Sequence, residues 1–225
     1  MKAPNRSSAV MSQRSAAAHG LDYYPTPPWA TRALCELVLG GGEALRGLSC
    51  WEPACGEGDM ARPLAEYFGT VHASDIYPRG FGHVGDFLDV TLGSRWAPLQ
   101  SVDWIITNPP FNAALKFARL ALAEAKVGVA LLLRTQWIEG VERYGFFSEN
   151  PLSLVCPFVE RVSMVADRLD RSAASATSLS WFVWRHGDTL QRLQHIPPCK
   201  ARFDRDSDWR QANDRPSPLF PTEAA

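Results

Sequence analysis

Val127-Gly128-Val129-Ala130-Leu131-Leu132-Leu133 contains no polar side chain. A strand with one face in water alternates polar and apolar residues, whereas a parallel strand covered on both faces reads as a continuous apolar run. The run therefore belongs near the centre of a parallel sheet with helices on both sides. Arg134, Thr135, Gln136 and Trp137 mark its polar end. Parallel neighbours need crossovers of a dozen or more residues, usually helical, so strands and helices should alternate around this run.

They do so on both sides. Strands are expected at Leu48–Glu52, Thr70–Ser74 and Val102–Ile106, where Trp104, Ile105 and Ile106 have strand propensity. Helical spacing joins Trp29, Ala33, Leu34, Leu37 and Val38, with Thr26 as the expected cap, Pro27 and Pro28 tolerated in the first turn, and Gly40-Gly41-Gly42 as the stop. Further helices carry Met60, Leu64, Ala65, Tyr67 and Phe68, then Ala114, Phe117, Ala118, Leu120 and Ala121, and then Gly140 to Phe147. Strand-like segments follow at Leu152–Val155, Val159–Val165 and Ser178–Trp184. The expected fold class is α/β: a doubly wound, mostly parallel sheet with a C-terminal antiparallel strand.

A chain of 225 residues, 46% of them hydrophobic, suits one such domain. Residues 1–20 are expected to be a flexible arm, 21–186 the domain and 187–225 an extended polar tail with several prolines. No apolar run reaches the roughly 18 residues of a membrane span, and the Arg- and Ser-bearing N-terminus lacks a secretory apolar stretch, so a cytoplasmic protein is expected. The five cysteines have no C-x-x-C spacing and no histidines at metal-ligand intervals, which points to reduced thiols and no metal. A net charge of −1 gives no broad positive coat, although Arg far outnumbers Lys.

The ends of the strands carry the polar groups. Glu52 closes the first strand and leads into Pro53-Ala54-Cys55-Gly56-Glu57-Gly58, a glycine turn before a helix. Its carboxylate would repel a pyrophosphate, which favours a ligand with a cationic centre and hydroxyls. Asp75 ends the next strand, about 20 residues beyond the turn, where nucleotide-binding α/β folds receive a ribose diol; Ile76 follows it. Asp86 sits beside Phe87, a pairing suited to an adenine amine and its ring face. Asn108-Pro109-Pro110-Phe111 then stops a buried strand. Its prolines fix the backbone and remove donors, leaving the Asn108 amide and nearby carbonyls as acceptors able to hold an amine.

In these motifs and their order the chain resembles the S-adenosylmethionine-dependent, amino-methylating DNA methyltransferases, particularly small phage and prophage N6-adenine enzymes. The resemblance covers residues 20–185, and implies a class I, Rossmann-like methyltransferase domain. Glu52-Pro53-Ala54-Cys55-Gly56-Glu57-Gly58 matches the cofactor turn, Asp75 the ribose-binding acid, Asp86 the adenine-contacting acid, and Asn108-Pro109-Pro110-Phe111 the catalytic loop. Tyr24-Pro25-Thr26-Pro27 resembles the segment that closes over the methionine part. The resemblance implies S-adenosyl-L-methionine as cofactor and direct in-line methyl transfer to an exocyclic base amine, adenine N6 first. The Asn108 oxygen and the Pro109 carbonyl would accept the amine hydrogens, and Phe111 would stack on a base flipped from duplex DNA. Asn stands where some relatives carry Asp; a neutral amide accepts hydrogen bonds but is a poor general base.

Cytosine N4, an RNA base amine and a protein glutamine are the alternative acceptors, and an inactive nucleic-acid-binding module is the non-enzymatic one. Cytosine-C5 chemistry needs a cysteine nucleophile, and Pro198-Cys199 lies in the wrong order for it. With no large C-terminal block to read sequence, Arg134, Gln136, Trp137, Arg168 and Arg171 are the candidate nucleic-acid contacts.

Overall fold

The computed structural model describes residues 23–90, 97, 98 and 100–209. The expected N-terminal arm, residues 1–20, lies outside them.

An eight-stranded sheet forms the middle layer, in the order β3-β2-β1-β4-β5-β7-β6-β8. Strands β1 (Ser49–Glu52), β2 (Thr70–Asp75), β3 (His83–Val84), β4 (Trp104–Thr107) and β5 (Gly128–Arg134) run parallel. β7 (Leu179–Arg185) inserts antiparallel between β5 and β6 (Leu154–Pro157), and β8 (Arg192–Leu193) adds to β6 in parallel. The expected doubly wound, mostly parallel sheet with a late antiparallel strand is therefore present.

Side chains alternate across this sheet with period two. Trp104 and Ile106 of β4, Ala130 and Leu132 of β5, and Trp181 and Val183 of β7 face one core layer, with Trp29, Ala33 and Leu34 of α1 (Pro28–Leu37), Ala61 and Leu64 of α3 (Ala61–Leu64) and Phe203 of α6 (Lys200–Phe203). Ile105, Val129, Leu131, Leu133, Phe182 and Trp184 face the other, against Phe117, Ala118 and Ala121 of α4 (Ala114–Glu124) and Phe146 of α5 (Val141–Glu149). Burial of each large side chain contributes about 1.5–3 kcal/mol, and the two layers explain why β5 is apolar throughout. Gly128 at its start has a local reason: a Cβ there would lie 2.4 Å from the Trp184 carbonyl oxygen of the antiparallel neighbour.

Several expectations differ from the structure. Residues 159–165 form no strand; Val165 makes an isolated bridge to Arg168, and Val159 is half exposed, so β-branched composition there was not matched by a partner strand. The helix after the glycine turn is short, because residues 65–69 turn to lead into β2. The triple glycine ends α1 but also starts a second helix, α2 (Gly41–Leu45). Residues 187–209, expected in an extended tail, are packed: they contain β8 and α6, and Ile196, Cys199 and Phe203 are buried. Arg32, buried in α1, holds this segment, its guanidinium donating to the Phe203 carbonyl at 2.8 Å and pairing with Asp208 at 2.7 Å and Glu66 at 2.8 Å. Residues 210–225 lie outside the described residues.

The chain winds outwards from β1 to β3, then returns to place β4 on the other side of β1. Such a switch point leaves a crevice at the carboxyl ends of the two strands. Those ends carry Glu52 and Asn108.

Candidate active site

The crevice is a cavity of about 240 Å3. The glycine-turn side of its wall is Glu52, Pro53, Ala54 and Cys55; Asp75 ends β2, and Ile76, Asp86 and Phe87 come from the segments after β2 and β3; Asn108, Pro109, Pro110 and Phe111 follow β4; Tyr24, Pro25 and Thr26 precede α1. Four segments far apart in sequence thus meet on one cavity. Gly56 and Gly58 do not line it, but both have positive φ, 54° and 85°, and shape the turn beneath. A Cβ on Gly56 would fall 2.4 Å from the ring of Tyr23, so that ring rests directly on the turn.

Asn108 is oriented by its neighbours. Its Nδ2 donates to the Tyr24 carbonyl at 3.0 Å and to Thr26 Oγ1 at 3.1 Å. A backbone carbonyl only accepts, so the amide nitrogen must face it and the oxygen must face away. Oδ1 is buried and has no hydrogen-bond partner among the described residues. This also accounts for Thr26, which does not cap α1: Pro27 occupies that position with no side-chain cap bond, while the Thr26 hydroxyl receives the Asn108 amide. Pro109 and Pro110 donate nothing, and the Pro110 carbonyl accepts from Ala113 N at 2.9 Å to close the turn before α4.

The opposite wall is acidic. Glu52 is fully buried with Oε2 unpartnered, and burial, then repulsion from Asp59 and Asp75, raises its pKa well above the usual carboxyl range. Burial raises Asp59 to about 6, against the opposing effect of the Tyr23 hydroxyl that donates to it at 3.1 Å. Asp75 is also raised by burial, less so because it accepts from Gly56 N and Tyr77 N, each at 2.8 Å, and faces Arg79. Asp86 accepts from Leu88 N at 2.9 Å. Carboxylates brought this close beside an empty acceptor await a positive or hydrogen-rich partner.

A cationic, hydroxyl-bearing nucleoside such as S-adenosylmethionine fits these residues. The unpartnered Glu52 oxygen suits an ammonium, Asp75 a ribose diol, Asp86 an amine and Phe87 a ring face. The two glycines are required by packing: a Cβ at Gly56 would meet the Tyr23 ring, and one at Gly58 would meet Phe81 at 2.7 Å.

Phe111 neighbours Tyr24, whose ring is tilted by 26° at a centroid distance of 6.2 Å, and Arg134, whose guanidinium carbon is 4.9 Å from its centroid. Arg134, Gln136 and Trp137 border a depression shared with Phe111. The candidate contacts Arg168 and Arg171 do not border either cavity. Arg168 pairs with Asp170 at 3.2 Å, and Arg171 with Asp204 and Asp206 at 2.9 and 2.7 Å. Arg171 is thus spent on the C-terminal segment.

Tyr23, which the sequence allowed either as a wall of a ligand site or as a packing lid, completes the site together with three residues not singled out for it. Tyr23 and Arg79 stack, with 4.1 Å from guanidinium carbon to ring centroid. Asp59 follows the second glycine and lines the cavity. Met164 reaches Asn108 Nδ2 with its sulfur at 3.6 Å from the loop after β6. Tyr23 and Asp59 adjoin recognised motifs and were within reach of sequence reasoning. Arg79 and Met164 come from irregular segments and carried no local signal.

Among the described residues there is no cluster of His, Cys, Asp and Glu that could hold a metal, and no helix is long and apolar enough to cross a membrane. All five cysteines are buried and free.

No protein-family model matches the chain. Its sequence is 30% identical over 154 residues to the type II methyltransferase M.TthHB8I of Thermus thermophilus, covering 63% of this chain and 33% of the relative. The chain therefore spans about a third of that relative's length. Among solved structures, it is similar to the methyltransferase subunit of a type I restriction-modification system from Streptococcus thermophilus, with TM-score 0.58, 11% identity, and 76% and 46% of the two chains covered. A candidate RNA methyltransferase from Pyrococcus horikoshii gives TM-score 0.55 at 16% identity over 73% and 87%. A candidate class I S-adenosylmethionine-dependent methyltransferase from Listeria monocytogenes gives 0.50 at 14% over 75% and 65%. The chain has the class I S-adenosylmethionine-dependent methyltransferase fold, and its sequence is similar to that of a type II methyltransferase.

Proposed function

We propose that this chain methylates an exocyclic amine of a DNA base, adenine N6 first, using S-adenosylmethionine. The observation that carries the reading is the Asn108 amide of the cavity wall, with its nitrogen held by Tyr24 and Thr26 and its buried oxygen left without a donor among the described residues. An aromatic amine is a weak nucleophile because its lone pair is conjugated into the ring. Asn108 Oδ1 and the Pro109 carbonyl accept its two hydrogens, which favours a more tetrahedral nitrogen and directs the lone pair. Phe111 provides an apolar face for the base, offsetting part of the few kcal/mol that flipping costs. Bound S-adenosylmethionine supplies the electrophilic methyl group, held by Glu52, Asp75, Asp86 and Phe87. The protein contributes orientation and fixed dipoles, with no nucleophile of its own. Proton loss goes to water, since a neutral amide is a poor base.

The similarity to a type II DNA methyltransferase supports DNA over a protein glutamine as acceptor. Cytosine N4 presents the same two amine hydrogens and is the alternative that the loop chemistry permits. Transfer of tritium from labelled cofactor to DNA, RNA and protein, followed by nucleoside mass spectrometry, tests the reading. The expected product is N6-methyladenine in DNA; label in protein alone overturns the substrate. Asn108→Ala should lower turnover about 100- to 1000-fold while cofactor affinity measured by calorimetry changes little.

A further inference from the structure

Next to the amine-holding loop, a depression of about 290 Å3 is bounded by Phe111, Asn112, Leu133, Arg134, Gln136 and Trp137. Its floor is rigid. The Trp137 indole stands edge-on to Phe147 and Phe182, at centroid distances of 5.4 and 5.2 Å, within a larger aromatic cluster. Its rim is anchored as well: Thr135 N donates to the Ser178 carbonyl at 2.9 Å, and the Thr135 and Ser180 hydroxyls lie 2.8 Å apart, fixing the end of β5 against β7.

Arg134 is the exposed last residue of that strand. Most arginines with a charged neighbour here face carboxylates, as Arg32, Arg119, Arg168, Arg171, Arg192 and Arg205 do. Arg134 instead lies on the Phe111 ring, and among the described residues it has no ion pair or hydrogen bond. A guanidinium placed beside an aromatic ring with no carboxylate partner keeps its donors free, and those donors match the two oxygens of a phosphate.

The geometry points to a phosphate subsite beside the target base: Arg134 pairs with a phosphodiester flanking the nucleotide whose amine lies at Asn108. This inference rests on the reading of the chain as a nucleic-acid methyltransferase and gives that reading a reason. A nucleotide carries a phosphate within reach of its base, and a protein glutamine carries none. Arg134 is a positioning residue; it touches no reacting atom.

The test uses the oligonucleotide site that the wild-type protein methylates, made with one phosphodiester beside the target base replaced by a neutral methylphosphonate, on either side in turn. Binding of each duplex to wild type and to Arg134→Ala is measured by fluorescence anisotropy across a salt series. At one of the two linkages the neutral replacement should weaken wild-type binding about tenfold and should add little to Arg134→Ala. The variant should lose about one unit of salt slope, and its defect should fall on KM for DNA more than on kcat. Arg134→Lys should recover part of the affinity, and cofactor binding should be unchanged in both variants, which reports a folded site. If neutral linkages on both sides cost wild type and variant equally, or cost neither anything, the subsite is overturned. If the wild-type protein methylates no nucleic acid, the functional reading fails first and takes the subsite with it.

Discussion

Glu52 ends one parallel strand and Asn108 follows the end of another, and each has a buried oxygen with no hydrogen-bond partner among the described residues. A buried acceptor without a donor costs about 1–3 kcal/mol, so the site retains strain that a ligand can relieve. The acidic wall adds a pH signature. Asp59 titrates near 6 in the folded protein, above the unperturbed aspartate value of about 3.9. Below about pH 4 the group is protonated in both states. As pH rises from there to 6 the unfolded chain gives up its proton while the folded one keeps it, so stability falls through this window and stays lower above it. Asp59→Asn retains an acceptor for the Tyr23 hydroxyl and removes the charge. Urea denaturation should find the variant more stable than wild type at pH 8, by on the order of 2 kcal/mol, with the difference shrinking toward pH 4. Equal stability of the two at pH 8 would show that burial does not raise the Asp59 pKa.

At the scale of elements, the glycine turn after β1 is the most constrained connection. Gly56 has φ of 54° and the Tyr23 ring lies where a Cβ would go. Gly56→Ala should cost about 1–3 kcal/mol in thermal or urea unfolding, and should weaken cofactor binding, since Tyr23 also donates to Asp59 and receives Glu57 N at 3.3 Å. A variant with wild-type affinity would separate the turn from the cofactor site. The turn and the strand it follows were readable in advance, because Leu48–Glu52 and the glycines obey short-range rules. The Val159–Val165 segment was not. Its β-branched residues satisfy the same local preference, but a strand exists only where a neighbour offers backbone partners, and here β7 takes the place beside β6.

On the scale of the whole molecule, residues 199–209 close over α1 through the Arg32 guanidinium, whose side chain is 3% exposed and which serves both Glu66 and Asp208. Breaking such a buried pair leaves Asp208 without its cation, while Glu66 keeps Arg205 at 3.0 Å. Arg32→Ala should therefore destabilise the protein by about 3–5 kcal/mol, and limited proteolysis should cut first within 199–209. Unchanged stability would mean that the segment packs by Phe203 and Ile196 alone. The polar composition of this stretch concealed its packing: a few apolar residues and one ion-pair hub suffice to dock it, and neither has a period that sequence patterns detect. The sequence by itself determined the mostly parallel sheet, the cavity-forming strand ends and the residues Glu52, Asp75, Asp86 and Asn108, since hydrophobic period, glycine turns and proline stops act over a few neighbouring residues. Which way the Asn108 oxygen faces, what Tyr23 and Met164 touch, and which arginine keeps its donors free were decided by tertiary structure alone, because each depends on partners tens of residues away.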